Sequence, residues 1–343
     1  MMSGWVHIDS KTALQECDLS GLAVVLLTVP PGQQYEYCKH LAERLEPGQA
    51  VVLSPGKLAS LSLQQEFGDD IHFAETSAPL LKAEHRPVWL SAQNREQTAR
   101  LLDFLKPRFP NLLAAESPQE CALNDVGPVL YPASLLFNSS RIEKMGPYRT
   151  SSCDITPGVA RAVRALDLER LEIARVLGWK AFPLPYLLGS GESDYCRAIG
   201  KCQEFQRHMS PDSVCHAYIS EEVPYGLAPL LQLAHELNIP TPHLQAVYTL
   251  ARALTDTSLE PARSYSGQNP PQTPPTVEVR AEDFGFLGLQ ETVVELESTT
   301  RTVSLSTQPA SPPPKIELAA DTDISRSFQM LREALERKTS EES

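Results

Sequence analysis

Ser213–Pro242 reads SVCHAYISEEVPYGLAPLLQLAHELNIPTP, and its punctuation organises the chain around it. An aromatic and acidic turn ends at Glu221 and Glu222. The break Val223-Pro224-Tyr225-Gly226 follows. Leu227, Leu230, Leu231, Leu233 and Ala234 then recur at helical spacing, and Pro240 and Pro242 bound the exit. On residue chemistry alone this is a solvated acidic turn leading into a core helix.

Upstream, the pattern is different. Leu22–Val29 is an unbroken apolar, β-branched run ending at Pro30-Pro31-Gly32, as a strand buried on both faces of a parallel sheet reads. A helix over Tyr35–Leu45, a strand over Gln49–Leu53 and a loop Ser54-Pro55-Gly56-Lys57 come next. A further helix, the strand His72-Phe73-Ala74, the strand Val88-Trp89-Leu90 and a helix over Glu96–Lys106 complete an alternation that predicts a parallel, doubly wound sheet. Residues 1–20 are polar and short, and Met1-Met2-Ser3 carries no obvious structure. In such sheets ligands lie beyond the carboxyl ends of strands, here Thr28-Val29-Pro30, Ser54-Pro55-Gly56 and Glu75-Thr76.

After Pro110 the periodicity is helical. Leu123–Pro132 precedes an apolar helix through Leu135, Leu136 and Phe137, then Asn138 and Arg141-Ile142-Glu143. Thr156-Pro157 reads as an N-cap and first helical position, opening a helix that stops near Gly178. Asp167 and Arg170 within it suit an i,i+3 ion pair on a solvated face. Trp179–Leu188 is aromatic and Pro-rich, suited to covering the core of that domain. From about Thr255 the composition turns to Pro, Ser and Thr, with Asn269–Pro275 and Ser311–Pro314 favouring extended chain. Phe284–Leu296 suits a short packed element, and Ile324–Leu335 an amphipathic helix.

The 343 residues are 42% apolar, enough for two cored domains, and the net charge of −13 argues against a nucleic-acid groove or anionic membrane surface. No apolar run approaches the roughly 20 residues that span a bilayer, and the N-terminus lacks a basic-then-apolar leader. Seven scattered cysteines fit reduced thiols in a cytoplasmic protein. Cys196, Cys202, His208, Cys215 and His216 match no zinc spacing, so no metal is expected. No Gly-x-Ser-x-Gly elbow is present, and Asp283-Phe284-Gly285 has no kinase companions.

These segments, taken in order, resemble the octopine/nopaline (opine) dehydrogenase family over residues 22–252, most specifically over 121–252. The resemblance rests on Val223-Pro224-Tyr225-Gly226-Leu227 after the acidic pair, on Asn124 separated by six residues from Tyr131-Pro132, on Leu135-Leu136-Phe137-Asn138, Arg141-Ile142-Glu143 and Asp167-x-Glu169-Arg170, and on the three strand-end loops.

It implies an α/β plus all-α fold: a truncated Rossmann-like parallel sheet (1–115), an opine-dehydrogenase-like helical domain (116–260), and a largely disordered tail (261–343). It also implies reductive condensation of an amino acid with an α-keto acid, using NAD or NADP in reduced form. Tyr131 and Glu222 fall on the family's catalytic positions. Asn124, Asn138, His216, Ala217 and Tyr218 fall on its substrate side, and Val29, Pro30, Pro55, Gly56 and Glu75 on its cofactor side. The chain departs from the pattern where Tyr131 replaces a His, Glu222 an Asp and Ala217 an Arg. A phenol titrating near about 10 is a weaker proton shuttle than imidazole.

A Gly-x-Gly-x-x-Gly turn for the pyrophosphate is missing before Leu22, and Gly189-Ser190-Gly191 follows Pro-Leu-Pro-Tyr-Leu-Leu rather than opening a βαβ unit. The chain is therefore expected to begin after the family's first β-α-β unit. Two readings stay open: an oxidoreductase, truncated or served by a second chain, or a non-catalytic relative acting as a binding or dimerisation module.

Overall fold

The computed structural model describes residues 4–83, 85–145, 155–203, 210–255 and 259–263, all inside one compact unit spanning Met1–Thr292. The elements expected at 284–296 and 324–335 lie outside the described residues.

The first half is a six-stranded sheet whose strands lie in sequence order: β1 (Trp5–Ile8), β2 (Val24–Leu27), β3 (Ala50–Leu53), β4 (His72–Thr76), β5 (Val88–Ala92) and β6 (Leu112–Ala114). Val24–Leu27 and Ala50–Leu53 are buried at every position, as their unbroken apolar runs require. Helices α1 (Lys11–Glu16), α2 (Gln34–Ala42), α3 (Ala59–Phe67) and α4 (Arg95–Leu105) connect them.

All pairings are parallel except β4 with β5, which is antiparallel. Right-handed crossovers between β1 and β4, stepping one way, place α1, α2 and α3 on one face. There Leu14, Leu41 and Leu63 pack on Val25, Val51 and Phe73. Because β5 runs in reverse, the same handedness puts α4 on the opposite face, where Leu101, Leu102 and Leu105 meet Val52, Ala74 and Leu90.

Two features were not expected from the sequence. Residues 5–16 form β1 and α1, the edge strand being short and only half-buried, so its apolar signal is weak. The β4–β5 reversal breaks the all-parallel expectation, because no helix separates these strands. Residues 77–87 make the return instead.

The second half packs α5 (Pro118–Leu123), α6 (Gly127–Met145), α7 (Pro157–Leu177), α8 (Leu184–Leu187), α9 (Tyr195–Lys201), α10 (Ala217–Ser220), a π-turn (Val223–Leu227), α11 (Ala228–Glu236) and α12 (Pro242–Thr255). As expected, Thr156 caps α7 by accepting the Val159 N–H, and Gly178 closes it at φ +69°. Helix α6 starts at Gly127, earlier than the sequence suggested, and carries Pro132 inside it.

The Asp167–Arg170 pair is not on a solvated face. Asp167 is 0% and Arg170 1% exposed. Arg170 donates to Asp167 Oδ1 (2.9 and 2.6 Å) and to the carbonyls of Leu123 and Phe182. Asp167 Oδ2 in turn accepts from Leu184 N and Tyr195 Oη. With every group bonded, the buried pair staples α7, α8 and α9 to the end of α5. Glu169 lies nearby and caps α12 by accepting the His243 and Leu244 amides.

The halves share one core. Trp89 on β5 stacks on Phe182 at 5.1 Å between ring centres and belongs with Leu130, Leu166 and Leu187 of the helical half. No helix among the described residues is long and apolar enough to cross a membrane.

Candidate functional site at the joint

Helix α6 and the segment from α10 through the π-turn run past each other in opposite directions. Tyr131 stacks on Tyr218 with 4.4 Å between ring centres. One turn away along both segments, the Glu222 carboxylate presses on Gly127 where no Cβ would fit. Gly226 lies against the Pro128 ring in the same way. The two glycines let the helices approach closely enough for Tyr131, Tyr218 and Glu222 to line one seam. His216 extends it, edge-on to Tyr218 at 4.7 Å, and its Nδ1 accepts the Tyr218 N–H as the cap of α10. Burial pulls the His216 imidazole below its usual range, against the charge of Asp212.

The sheet half reaches this seam through Lys57. Lys57 (φ +51°) and Leu58 (φ +70°) are both left-handed, which turns the loop after β3 and aims the lysine under the joint. Its Nζ donates to Asp125 Oδ2 at 2.6 Å and to Glu222 Oε2 at 2.7 Å, with 4% of the side chain exposed. Asp125 Oδ1 also takes the Gly127 N–H that opens α6.

Burial opposes the Lys57 charge, yet the two carboxylates hold the ammonium above its ordinary range. Burial pushes Glu222 up to about 7, against the pull of Lys57 and with the help of Asp125. Two carboxylates share one cation out of water, so the Lys57 ammonium and the Glu222 carboxyl each hold a proton more tightly than they would in free solution. Glu221, beside it, is also raised by burial.

The residues placed on the substrate side divide into two groups. Tyr218, His216 and Ala217 sit on the seam, Ala217 opening α10. Asn138, two turns beyond Tyr131 on α6, donates to Ser134 O. Asn124 is turned to the backbone: it donates to the carbonyls of Glu120 and Lys180 and accepts the Phe182 N–H. It thereby pins the aromatic loop beneath α7.

The residues placed on the cofactor side do sit at the carboxyl ends of β2, β3 and β4, but this surface is filled. Glu75 is fully buried and accepts from Leu58 N (3.0 Å), Ser60 N (3.1 Å) and Ser60 Oγ (2.6 Å), capping α3, which has no Ser or Thr cap of its own. Its side chain covers Gly56 so closely that a Cβ there would collide with it. Gly56 N bonds Thr76 O, and Ser54 Oγ takes both Thr76 Oγ1 and Leu80 N, so the loops are tied to one another. Val29 is buried beneath the Pro30-Pro31 turn, Pro55 gives its carbonyl to Gln34, and Tyr225 rests its hydroxyl on Gly32.

Arg263, which composition had assigned to the tail, returns across these loops. Strand order runs from β1 to β6 without the reversal that opens a nucleotide crevice in doubly wound sheets. Among the described residues there is also no Gly-x-Gly-x-x-Gly turn, and the Gly189–Gly191 loop is used to pack against His85 and Arg86. A nicotinamide dinucleotide therefore does not fit the described residues in this conformation.

Sequence reasoning missed Lys57, Asp125 and Arg263. The first two carried a signal: a lysine directly after a strand-end Pro-Gly, and an acid two residues before a helix start. Arg263 carried none.

Among the described residues no group of three or more His, Cys, Asp or Glu side chains is placed to hold a metal ion.

Residues 114–255 match the family model for the NAD/NADP octopine/nopaline dehydrogenase alpha-helical domain. The chain is 26% identical over 282 residues to the opine dehydrogenase of Arthrobacter sp. (strain 1C), covering 75% of this chain and 77% of the relative. It is 25% identical over 252 residues to the protein ocs of Agrobacterium tumefaciens (strain Ach5), covering 68% and 70%. In fold it resembles octopine dehydrogenase solved with NADH and L-arginine, and with NADH and agmatine. Each has a TM-score of 0.52 over 68% of this chain and 70% of the other, at 14% and 15% identity. Model match, relatives and fold together support an octopine/nopaline dehydrogenase-type alpha-helical domain at residues 114–255.

Proposed function

We propose that the protein is an opine-dehydrogenase-type oxidoreductase, joining an amino acid to an α-keto acid by reducing the imine they form, with NADH or NADPH as reductant. The observation that carries this reading is the convergence of Tyr131, Tyr218 and Glu222 on one seam with Lys57 reaching in from the sheet half. An imine nitrogen that gains electrons needs a proton, and a carboxyl near neutral pKa is suited to hold one at working pH. Glu222 is that group. Lys57 fixes its orientation, and Asp125 fixes Lys57. Tyr131, Tyr218 and His216 form an aromatic wall that limits water at the seam. The dinucleotide does not fit the described conformation, so the roles assigned here are those of the chain's own side chains.

The test is consumption of NADH or NADPH in the presence of an amino acid, an α-keto acid, or both. Consumption that requires both supports the reading, and none with any pair overturns it. A second reading, a relative that has kept the helical domain for binding or dimerisation, is favoured by one observation. Ala217 occupies the position where the family resemblance calls for an arginine, leaving no cation there for a substrate carboxylate. Protein that ignores both substrates yet dimerises through the helical half would favour it.

A further inference from the structure

Glu221 stands at the edge of the seam, beside Glu222 and one helical turn beyond Ala217. Its amide donates to Ala217 O at 3.0 Å, so the Ala217 methyl and the Glu221 carboxylate share a face of α10. Tyr131, His216, Ala217, Tyr218 and Glu221 are each half-buried, so this edge is reached from water. Among the described residues the Glu221 carboxylate takes no hydrogen bond and no ion pair. Lys57 acts on it only as a more distant charge, being bonded to Asp125 and Glu222.

The other cations are committed elsewhere. Arg263 is bonded to the carbonyls of Gly56, Lys57 and Pro31. Arg141 lies ten residues beyond Tyr131 on α6, roughly 15 Å along the helix. Burial draws the His216 imidazole down, so it adds no charge near neutral pH. An open carboxylate beside stacked phenol rings attracts an ammonium twice, by its charge and through the ring faces. A ligand carboxylate at the same edge meets two acids and no cation to hold it.

We propose that the seam selects a primary amine without an α-carboxylate, its ammonium held between the Glu221 carboxylate and the Tyr131–Tyr218 stack. Ala217 is the specificity-determining position, because a cationic side chain there covers Glu221 and gives a carboxylate its partner. The inference rests on the seam being the substrate side, and it narrows the amino partner of the proposed reaction.

The test is calorimetric titration of pentylamine, norleucine and hexanoate, near neutral pH, into the full chain and its E221Q and A217R variants. The three ligands share one alkyl chain and differ only in their charged groups. Pentylamine binds wild type about tenfold tighter than norleucine or better, and hexanoate does not bind. E221Q loses about fivefold or more of the pentylamine affinity and keeps that for norleucine within about twofold. A217R reverses the order, and the isosteric E221Q decides the matter if A217R does not fold. The proposal is overturned if wild type binds norleucine as tightly as pentylamine, or binds neither. It is overturned equally if E221Q keeps the pentylamine affinity, or if cooperatively melting A217R keeps the wild-type order. Pentylamine that binds as described yet supports no NADH or NADPH oxidation with any α-keto acid sinks the oxidoreductase reading and leaves the amine site standing. Oxidation that proceeds with norleucine and not with pentylamine does the reverse.

Discussion

Lys57 holds two carboxylates apart, and removing it exposes what each interaction is worth. Lys57→Met leaves Asp125 and Glu222 facing each other without a cation. Breaking a buried pair this way costs about 3–5 kcal/mol. Urea denaturation should show that loss, and combining Lys57→Met with Glu222→Gln should recover part of it, because one of the stranded charges is gone. A loss from Lys57→Met below about 1 kcal/mol would place the lysine in contact with water rather than in the joint.

Glu222 and Glu120 also set a pH dependence opposite to that of ordinary carboxylates. Burial raises both to about 7. A folded acid with a raised pKa binds more protons than the unfolded chain between its two pKa values. Stability contributed by these groups is therefore full below about 4.5 and declines as pH rises towards about 7. Glu120→Gln with Glu222→Gln should flatten that decline in denaturation midpoints measured from pH 5 to 7. An unchanged slope would mean that neither carboxyl is held out of water.

At the scale of elements, helix contacts are set by where glycine is indispensable and where it is not. Gly226 in the π-turn lies against the Pro128 ring, so Gly226→Ala forces the turn away from α6, at about 1–3 kcal/mol. Among the described residues nothing lies near the missing Cβ of Gly200 in α9, so Gly200→Ala should gain about 0.5–1 kcal/mol from helix propensity. Opposite signs in thermal melts are expected; equal effects would contradict the packing of α6 on the π-turn.

What the sequence revealed follows the same division. The Thr156 cap, the Gly178 stop and the buried runs of β2 and β3 were legible because local chemistry decides them. The caps on α3 and α12 were not, because Glu75 and Glu169 come from distant elements. The Asp167–Arg170 pair was misplaced for a related reason. Spacing gives the pairing, but only the packing of Leu184 and Phe182 over it gives the burial.

At the scale of the molecule, two halves of different architecture are joined by Trp89 packed among helical residues and by Lys57 bonded across the joint. The sheet and the helical half were both readable from periodicity. Their joint was only partly so. Tyr131, Tyr218 and Glu222 were placed together by ordered resemblance, whereas Lys57 and Arg263 enter from loops whose direction no local pattern fixes. The raised pKa of Glu222 is likewise a property of the whole, since burial in the joint and the Asp125 carboxylate raise it against the pull of Lys57 from the sheet half.

The most direct test of the account is infrared titration of the protonated-carboxyl band in Glu120→Gln protein, compared with the same protein carrying Glu222→Gln. The account predicts a band that persists above the usual carboxylate range and has a component fading near about 7, and that component is lost when Glu222 is replaced. A band already gone by about pH 5, or one unchanged by Glu222→Gln, would contradict it.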